Sequence, residues 1–352
     1  MHLIDFIKNN KEWKSRLTKP PYNIRISNEG NLYLFKYMTG NSFLTQEAIE
    51  ARGCIVRIEG NNVRYVCRPF DKFFNYGEGK AAELDWNTAV CTEKIDGSLI
   101  KLYYDGERWR VATNGTIDAF KTDFGVLFER VLGCSYEVLC EGLDKSLTYM
   151  FELTTPETRV VIDYDDGLYF LAARNNETGE YVHIPNKTFI GYNVRIPKKY
   201  NLKNQTDTIK EVYGMSDEHE GIVVCDGNGN RVKFKSPAYL EIASITDMQK
   251  PSWDRFIELY QNETLDDYLA YNNKYAGEIA KYAETLNALK VRLETVKNDC
   301  FSVCSTRAEA AKWLIQKPES GYVFKCYTEP DLSPEEFLKN ASKSYIKRLL
   351  EV

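Results

Sequence analysis

The 352-residue sequence predicts an α+β fold in which antiparallel sheets with a few helices come first and an all-helical region follows. Two observations predict this order. Up to about residue 240, short alternating runs are separated by hairpin turns at Asp105-Gly106, Asp166-Gly167 and residues 227–230. After Pro251, apolar residues recur at helical spacing instead. We therefore expect a large domain over residues 1–242 and a smaller helical domain over residues 243–352.

Two segments of the second region predict helices. Over residues 274–298, the apolar positions that lie close to one helical face are Ile279, Tyr282, Leu286, Leu289, Leu293 and Val296. Farther on, Ser333-Pro334-Glu335-Glu336 has a capping serine, a proline in the first turn and a glutamate three residues after the serine. The second segment is therefore a typical helix start.

The most informative segment of the sheet region is residues 94–98, which read Lys-Ile-Asp-Gly-Ser. A lysine attacks phosphorus only as the neutral amine, and an ordinary lysine with a pKa near 10.4 holds its proton at neutral pH by about 4.6 kcal/mol. Burial of Lys94 and nearby cations would favour the neutral amine, whereas a close Asp96 would oppose it. Gly97 would let the backbone approach a bound nucleotide. By itself such a segment occurs by chance in about one chain in ten of this length.

Three later segments carry further charged residues in or beside predicted strands. Phe151-Glu152 ends a buried apolar run, where a glutamate needs a partner. Glu220-Gly221 opens a β-branched strand, and residues 231–235 form the next strand after a turn. Period-two alternation places Lys233 and Lys235 on one face, so this pair is either solvated or shares an anion. For any one piece, an exposed hairpin with surface charges is the simpler alternative.

In this order, the segments resemble the KxDG, FE, EGxVV and VKxK motifs of the covalent nucleotidyltransferase superfamily of polynucleotide ligases and capping enzymes. Upstream, Ala51-Arg52-Gly53 and residues 67–75 are similar to the RGI and RPxxKFFN elements of the phage tRNA-repair type of ATP-dependent RNA ligase, the RNA ligase 1 family. Residues 171–181 resemble the segment that follows the FE strand in that family. The match covers about residues 45–245.

The resemblance implies a fold, an antiparallel-sheet nucleotidyltransferase domain of the ATP-grasp-like ligase type, and a helical C-terminal module that contributes to RNA choice. No motif was matched in the helical region of this chain. Helices that buttress the catalytic domain or form a dimer contact therefore remain an alternative.

The resemblance also implies roles for matching residues. Lys94 would take AMP from ATP, while Lys233 and Lys235 would hold the α-phosphate and offset its charge. Glu220 would hold a divalent metal, with Asp96 as a weaker candidate; Mg²⁺ is the natural ion and Mn²⁺ a substitute. The residues implied to bind ATP or AMP are Arg52, Lys72, Phe74, Glu93, Lys94, Gly97, Glu152, Lys233 and Lys235.

One position departs from the family pattern. After the nucleophile, the family carries a basic residue before a glycine in a strand, whereas this chain has Asn114 before Gly115. The contacts to the triphosphate are therefore expected to differ. Lys101 and Arg110 are the two cations that could substitute, and the sequence leaves that choice open.

The implied reaction has three steps: Lys94 takes AMP from ATP, AMP passes to an RNA 5′-phosphate, and a 3′-hydroxyl attacks the activated phosphate. The expected partners are RNA ends, single-stranded or at a nick in a tRNA anticodon loop, and an end-healing kinase or phosphatase. One alternative is a DNA ligase or a GTP-dependent capping-type enzyme. Another is a non-catalytic nucleic-acid-binding protein. Asn114 favours this alternative, and the presence of Lys94, Glu220, Lys233 and Lys235 disfavours it.

Bulk composition fits a cytoplasmic protein, whereas a phage- or virus-encoded origin is implied by the family resemblance alone, and we expect a monomer. Residues 1–8 lack the basic start and apolar run of a signal peptide, and no stretch approaches the roughly 20 apolar residues of a membrane span. Nine scattered cysteines fit a reducing compartment. The net charge of −5 does not predict nucleic-acid binding, so RNA contacts would depend on local cations. The candidates are Arg64, Arg68, Lys101, Arg108, Arg110, Lys187, Lys198 and Lys199, with Tyr200 beside them for stacking.

Overall fold

The structure, a computed structural model, describes residues 2–38, 45–158, 161–240, 251–261, 265, 268–269 and 275–352. The chain divides into two compact units, Met1–Ala243 and Ser244–Val352. The predicted boundary between residues 242 and 243 lies outside the described residues. Described strands occur in the first unit, and the described part of the second unit is helical.

The strands of the first unit are short. They are β1 Ile24–Glu29, β2 Leu32–Tyr37, β3 Arg52–Glu59, β4 Asn62–Cys67, β5 Phe74–Asn75, β6 Val90–Glu93, β7 Ser98–Tyr104, β8 Trp109–Ala112, β9 Leu147–Thr154, β10 Gly167–Asn175, β11 Tyr181–Val182, β12 Lys199–Tyr200, β13 Gly221–Cys225 and β14 Arg231–Lys235.

The α-helices occur in both units. Those of the first are α1 Leu3–Asn9, α2 Trp13–Leu17, α3 Gln46–Glu50, α4 Asp123–Leu132, α5 Tyr136–Cys140 and α6 Gln205–Tyr213. Those of the second are α7 Trp253–Gln261, α8 Ala276–Val303, α9 Arg307–Trp313, α10 Ser320–Cys326, α11 Pro334–Asn340 and α12 Lys343–Leu350. Single 3₁₀ turns occur at Ala119–Lys121, Pro156–Thr158 and Asn186–Phe189.

The described strands form three sheets. The first has the order β1-β2-β3-β4, the second β11-β10-β9-β7-β8 and the third β12-β6-β13-β14-β5. Neighbouring strands are antiparallel, except that β14 and β5 are parallel. The predicted antiparallel α+β fold with a helical C-terminal region is therefore confirmed.

Aspartate side chains organise two of the three predicted hairpins. The Asp105 side chain accepts hydrogen bonds from the backbone amides of residues 107 and 108, where β7 turns back into β8. Asp226 accepts from the amides of residues 228 and 230 between β13 and β14. These turns use the aspartate oxygen to satisfy amides that the ladder leaves unpaired.

The predicted hairpin turn at Asp166-Gly167 is wrong. Strand β9 ends at Thr154 and β10 begins at Gly167, so these residues stand at the start of a strand after a longer connection. A Cβ at Gly167 would lie 2.7 Å from Thr154 Oγ1 and 2.9 Å from the Tyr169 ring. The glycine therefore serves close packing at this strand start, which local sequence does not distinguish from a turn.

The core of the second sheet lies under α4. Helix α4 buries Leu127, Phe128 and Val131 against this sheet, and the Phe128 ring lies 5.9 Å from the ring of Phe151 on β9. The helix ends at Gly133 in the left-handed conformation, with φ of 84°, as is common for a glycine after the last turn. This packing fixes β9, which carries Glu152, beside β7.

Residues 94–97 connect the second and third sheets. Strand β6 of the third sheet ends at Glu93, and β7 of the second sheet begins at Ser98. At the third sheet, the Lys94 amide donates a hydrogen bond to the Gly221 carbonyl oxygen (2.9 Å). The predicted nucleophile therefore lies where the chain crosses from one sheet to the other.

The second unit has its own core around α8. This 28-residue helix buries the predicted positions Ile279, Leu286, Leu289 and Leu293. Residue 274, the first of the predicted helix, lies outside the described residues. Ser333 caps α11 by accepting a hydrogen bond from the amide of residue 336, so the predicted helix start is confirmed. Among the described helices, none is both long and apolar enough to cross a bilayer.

Candidate functional site

One buried carboxylate joins two of the predicted catalytic lysines. Lys94 Nζ lies 2.5 Å from Glu220 Oε2, and Lys235 Nζ lies 3.0 Å from Glu220 Oε1. The side chain of Lys94 is 20% exposed, whereas those of Glu220 and Lys235 are 2% and 4% exposed. The lysine pair of β14 is thus not a solvated surface pair, because Lys235 shares its anion with Lys94.

The sheet register brings these three residues together. Strand β13 follows Glu220 directly and lies between β6, which leads to Lys94, and β14, which ends at Lys235. Gly221 pairs with Lys235 across the ladder. A Cβ at Gly221 would lie 2.0 Å from the Phe234 carbonyl oxygen, and φ is 144°, so a glycine is required where Glu220 turns into the strand.

Glu152 lies near the same charges without a partner of its own. Its carboxyl group has no hydrogen bond or ion pair among the described residues, so the predicted partner is not found there. Burial raises the pKa of Glu152 to about 8; Glu220 and Asp96 raise it further, and Lys94 and Arg52 oppose the shift. The carboxyl group is therefore mostly protonated at neutral pH and can donate a hydrogen bond.

Asp96 is engaged by the protein itself. Its carboxylate accepts hydrogen bonds from the amides of Val161 (2.9 Å) and Ile162 (3.0 Å) and from the Tyr239 hydroxyl (3.2 Å). Burial, followed by the charge of Glu220, raises the pKa of Asp96 to about 6. Asp96 therefore ties the nucleophile segment to the connection after β9 and to the residues that follow β14.

Gly97 makes room for the protein backbone. A Cβ at this position would lie 2.5 Å from the Leu153 carbonyl oxygen and 3.1 Å from Glu152 Cγ. The missing side chain therefore allows β7 to start against β9. The close approach seen here is to the chain's own backbone, and it places Gly97 beside Glu152.

Two residues near the site were absent from the predicted set. Phe73 lies between Arg52 and Lys233, with its ring centroid 5.4 Å from the guanidinium carbon and 5.0 Å from Lys233 Nζ. Tyr239 contacts Asp96 and lies 5.5 Å from Lys235 Nζ. Phe73 falls inside the upstream motif, so the sequence contained its signal; Tyr239 follows the last motif and is recognisable only from tertiary contacts.

The upstream block is held by an ion pair. Arg174 of β10 forms a bidentate pair with Asp71, with both N–O distances 3.0 Å. This pair joins the block to the segment after β9. Lys72 is placed against Tyr37, with 3.5 Å between Nζ and the hydroxyl oxygen, and Phe74 pairs by its backbone with β14. The contacts described for Lys72 and Phe74 are therefore with Tyr37 and β14 rather than with Lys94.

Glu93, the residue before the nucleophile, has a separate partner. Its Oε1 lies 3.1 Å from His219 Nδ1, and His219 directly precedes Glu220. Glu93 is partly buried at the end of β6. The pair therefore links the two chain segments that carry Lys94 and Glu220.

Glu220 could bind a hard cation such as Mg²⁺ only if a nucleotide and water supplied the other oxygen ligands. Among the described residues, no group of three or more His, Cys, Asp or Glu side chains is arranged to hold a metal. Glu220 offers one buried carboxylate, now shared by two ammonium groups. Magnesium takes one or two carboxylates together with phosphate oxygens and water, so Glu220 fits a cation that enters with a nucleotide.

The cations predicted to contact RNA differ in their exposure. Lys101 is fully buried, so its prediction as a surface RNA contact is wrong. Arg110 is held by Asp105, with Nε 2.5 Å from Oδ2. Lys198 is exposed, and its Nζ lies 4.7 Å from the centroid of the Tyr200 ring, so this pair keeps the expected exposure.

The cysteines form no disulfide, and none belongs to a metal-binding group among the residues that the structure describes. All nine cysteines are free thiols. Cys300 is buried and Cys304 partly buried at the end of α8.

Comparison with known proteins finds that the chain is similar to RNA ligases. A family model described as RNA ligase matches residues 50–239. A protein named as a bifunctional polynucleotide kinase/RNA ligase, from Autographa californica nuclear polyhedrosis virus, is 30% identical over 334 residues, which cover 86% of this chain and 46% of the viral protein. An RNA ligase of Rhodothermus phage RM378 is 26% identical over 315 residues, covering 70% of this chain and 71% of that one.

A solved structure also aligns with most of this chain. An archaeal ATP-dependent RNA ligase aligns with 91% of this chain and 95% of its own length, at 11% identity and a TM-score of 0.46. That likeness is too distant to support an inference about chemistry. The chain spans about half the length of the baculovirus protein, at 46%.

Proposed function

The chain belongs to the RNA ligase family, and from that premise we propose that it is an ATP-dependent RNA ligase that works through a covalent lysyl-AMP intermediate. The observation that carries the proposal is the buried group of Lys94, Glu220 and Lys235. A nucleophile, a metal-binding carboxylate and a phosphate-binding cation in direct contact are what nucleotidyl transfer to lysine requires. The viral and phage sources of the relatives support a phage- or virus-encoded enzyme.

The first step depends on how Lys94 loses its proton. In this structure, Lys94 Nζ is in direct contact with Glu220 Oε2. Glu220 can hold either that ammonium group or a divalent cation. A divalent cation at Glu220 would displace the Lys94 ammonium group from this carboxylate. Lys94 would give its proton to solvent and attack the α-phosphate of ATP as the amine, with pyrophosphate as the leaving group. A bound Mg²⁺ ion would supply charge stabilisation at the phosphate oxygens.

The remaining residues orient the nucleotide. Lys235 and Lys233 stand on the face of β14 toward this site and offset negative charge on the α-phosphate as pyrophosphate leaves. Glu152, protonated at neutral pH, can donate a hydrogen bond to the nucleoside. Arg52, whose charge acts on Glu152 and whose guanidinium group lies against Phe73, would bind the triphosphate.

The later steps use the same groups on RNA. The AMP leaves Lys94 for a 5′-phosphate, giving an RNA-adenylate. A 3′-hydroxyl then attacks the activated phosphate, forming a phosphodiester and releasing AMP. We propose RNA repair as the role, with tRNA as one substrate, a partner kinase or phosphatase to prepare the ends, Mg²⁺ as the ion and a monomer as the active form. The helical unit is proposed to contribute to RNA choice.

Labelling with α-labelled nucleotide tests this function. The full chain is incubated with Mg²⁺ and labelled ATP or GTP, next to Lys94→Ala and the control Lys210→Ala, which changes an exposed lysine on α6. An AMP adduct on the wild type and the control, but not on Lys94→Ala, is the expected result. Labelling by GTP alone would identify a capping-type enzyme, and sealing of DNA ends in preference to RNA ends would identify a DNA ligase.

Absence of any adduct, in protein shown by mass to carry no AMP beforehand, would contradict the proposal. The protein would then be a binding protein that keeps the fold. Adduct formation that survives Lys94→Ala would mean that another lysine is the nucleophile.

A further inference from the structure

A second group of polar side chains meets around Gly53, at the start of β3. Lys101 of β7 is fully buried, and its Nζ donates a hydrogen bond to the Gly53 carbonyl oxygen (2.6 Å). A Cβ at Gly53 would lie 2.6 Å from that Nζ and 2.7 Å from the Asn114 Cα, and its φ is 77°. Because Gly53 has no side chain, Lys101 and Asn114 can lie close to the backbone next to Arg52.

The charge of this group is not balanced. Among the residues that the structure describes, Lys101 has no carboxylate partner. Burial, and then the charges of Arg52 and Lys36, lower the pKa of Lys101 to about 8, so it still carries a charge at neutral pH. A buried cation without a counter-ion is costly, and an anion close to Arg52 and Lys101 would offset that cost.

Two buried polar atoms also lack partners. Arg52 Nη1 and Asn114 Oδ1 are both shielded from solvent, and neither has a hydrogen bond to any residue that the structure describes. Native proteins rarely leave such atoms unpaired unless a ligand completes them. Because an Asn amide can present either its oxygen or its NH₂ group, Asn114 can also turn a donor toward an anion.

The group is connected to the Lys94 site through Arg52. The charge of Arg52 acts on the Glu152 carboxyl group, as the charge of Lys94 does. The guanidinium group also lies against Phe73, whose ring is shared with Lys233. An anion at Arg52 would therefore be a part of the molecule whose other part reacts at Lys94.

We propose that Lys101 is a positioning residue for the pyrophosphate portion of ATP: through its charge and its bond to Gly53, it sets Arg52 for the β- and γ-phosphates and supplies the cation that Asn114 does not. The inference rests on the ATP-dependent function proposed above and goes beyond it by assigning a residue. Arg110, the other cation considered for this role, is held by Asp105 and has Glu29 and Asp118 within 3.6 Å, so it has no charge to spare.

The chemistry restricts Lys101 to one step. The β- and γ-phosphates are present only while Lys94 takes AMP from ATP, and they leave as pyrophosphate. In pre-adenylated RNA, the phosphate joined to AMP is the 5′-phosphate of the RNA, and no γ-phosphate is present. Lys101 therefore matters more for adenylylation than for sealing of pre-adenylated RNA.

The test compares Lys101→Met, which keeps the length of the side chain and removes its charge, with wild type. Adenylylation is measured as a function of ATP concentration, and sealing is measured on pre-adenylated RNA. Lys101→Met should raise KM for ATP by about tenfold or more, with a smaller change in kcat, and weaken inhibition by added pyrophosphate by a similar factor. Sealing should stay within about twofold of wild type.

Asn114→Lys supplies the matched rescue. In the Lys101→Met background it should recover most of the lost ATP affinity, and in the otherwise unchanged chain it should lower KM for ATP without altering sealing. The second variant leaves Lys101 in place, so the proposal stays testable even where Lys101→Met does not fold.

Three results would count against it. Equal losses in adenylylation and sealing would make Lys101 a structural residue only. An unchanged KM for ATP in both Lys101→Met and Asn114→Lys would remove the residue from the triphosphate site. A wild-type protein that forms no adduct would overturn the proposed function itself, which separates that failure from failure of the Lys101 assignment.

Discussion

Replacement of Asp96 by asparagine should stabilise the first unit at neutral pH while leaving the nucleophile segment in place. Asparagine keeps an oxygen that can accept from the amides of Val161 and Ile162, and its NH₂ group can donate to the Tyr239 hydroxyl. It removes a carboxylate that burial disfavours. Alanine, in contrast, leaves all three groups without a partner.

The size of the effect follows from the pKa. Burial raises the pKa of Asp96 from 3.8 to about 6, so the folded state holds the proton more tightly than the unfolded state does. Wild type therefore loses stability as pH rises through this window, and Asp96→Asn does not. The variant should gain about 2 kcal/mol relative to wild type between about pH 4.5 and about pH 7.5. Asp96→Ala should be about 3 kcal/mol less stable than Asp96→Asn, from three lost hydrogen bonds of about 1 kcal/mol each.

Urea unfolding of the full chain, followed by tryptophan fluorescence at both pH values, measures these differences. Asp217→Asn, at an exposed position, is the control for loss of one carboxylate. A gap between Asp96→Asn and wild type that does not change with pH would refute the reasoning. Adenylylation by Asp96→Asn should show the wild-type metal dependence; a large rise in the metal concentration needed would instead make Asp96 a metal ligand.

Three further changes have expected outcomes. Glu220→Gln should lower adenylylation by about 100-fold or more in labelling assays, because Lys94 and Lys235 lose their shared anion and the metal loses its carboxylate ligand. The control Glu218→Gln, at an exposed position, should not lower adenylylation. Gly97→Ala should destabilise the protein by about 1 to 3 kcal/mol in urea unfolding, because its Cβ would meet the Leu153 carbonyl oxygen; unchanged stability would show that β7 can shift. Burial raises the pKa of Glu50, but hydrogen bonds to its carboxylate outweigh that effect and hold the pKa below its ordinary value. The ionised carboxylate therefore stabilises the fold above pH 4.5, and this contribution is lost as pH falls. In thermal unfolding, Glu50→Gln should approach wild type in acid.

The parts of the site that could be predicted are those where one residue type is chemically required. A nucleophilic lysine, a carboxylate before a β-branched strand and two lysines at period two are local patterns, and the structure brings Lys94, Glu220 and Lys235 into contact. The hairpin after β13 and the cap of α11 were also local, and both are confirmed. Each depends on residues within a few positions of one another.

The rest depended on contacts between distant segments. The predicted partner for Glu152 does not exist among the described residues, because burial keeps the proton on the carboxyl group instead. A lysine is usually a surface residue, yet Lys101 on β7 is fully buried and donates a hydrogen bond to the Gly53 carbonyl oxygen. Neither outcome can be read from spacing, since each is set by strands that pair across the sheets.

The crossing of the chain from the third sheet to the second at residues 94–97 also makes the site a reporter of folding. Lys94 and Glu220 are 126 positions apart in the sequence, and they meet only after β6 has paired with β13 and β7 with β9. Contacts of such high sequence separation form late, because loop closure must come first. The ability of a refolding chain to accept AMP at Lys94 should therefore appear with the last sheet pairing. Covalent labelling at successive refolding times would measure the rate at which the first unit assembles.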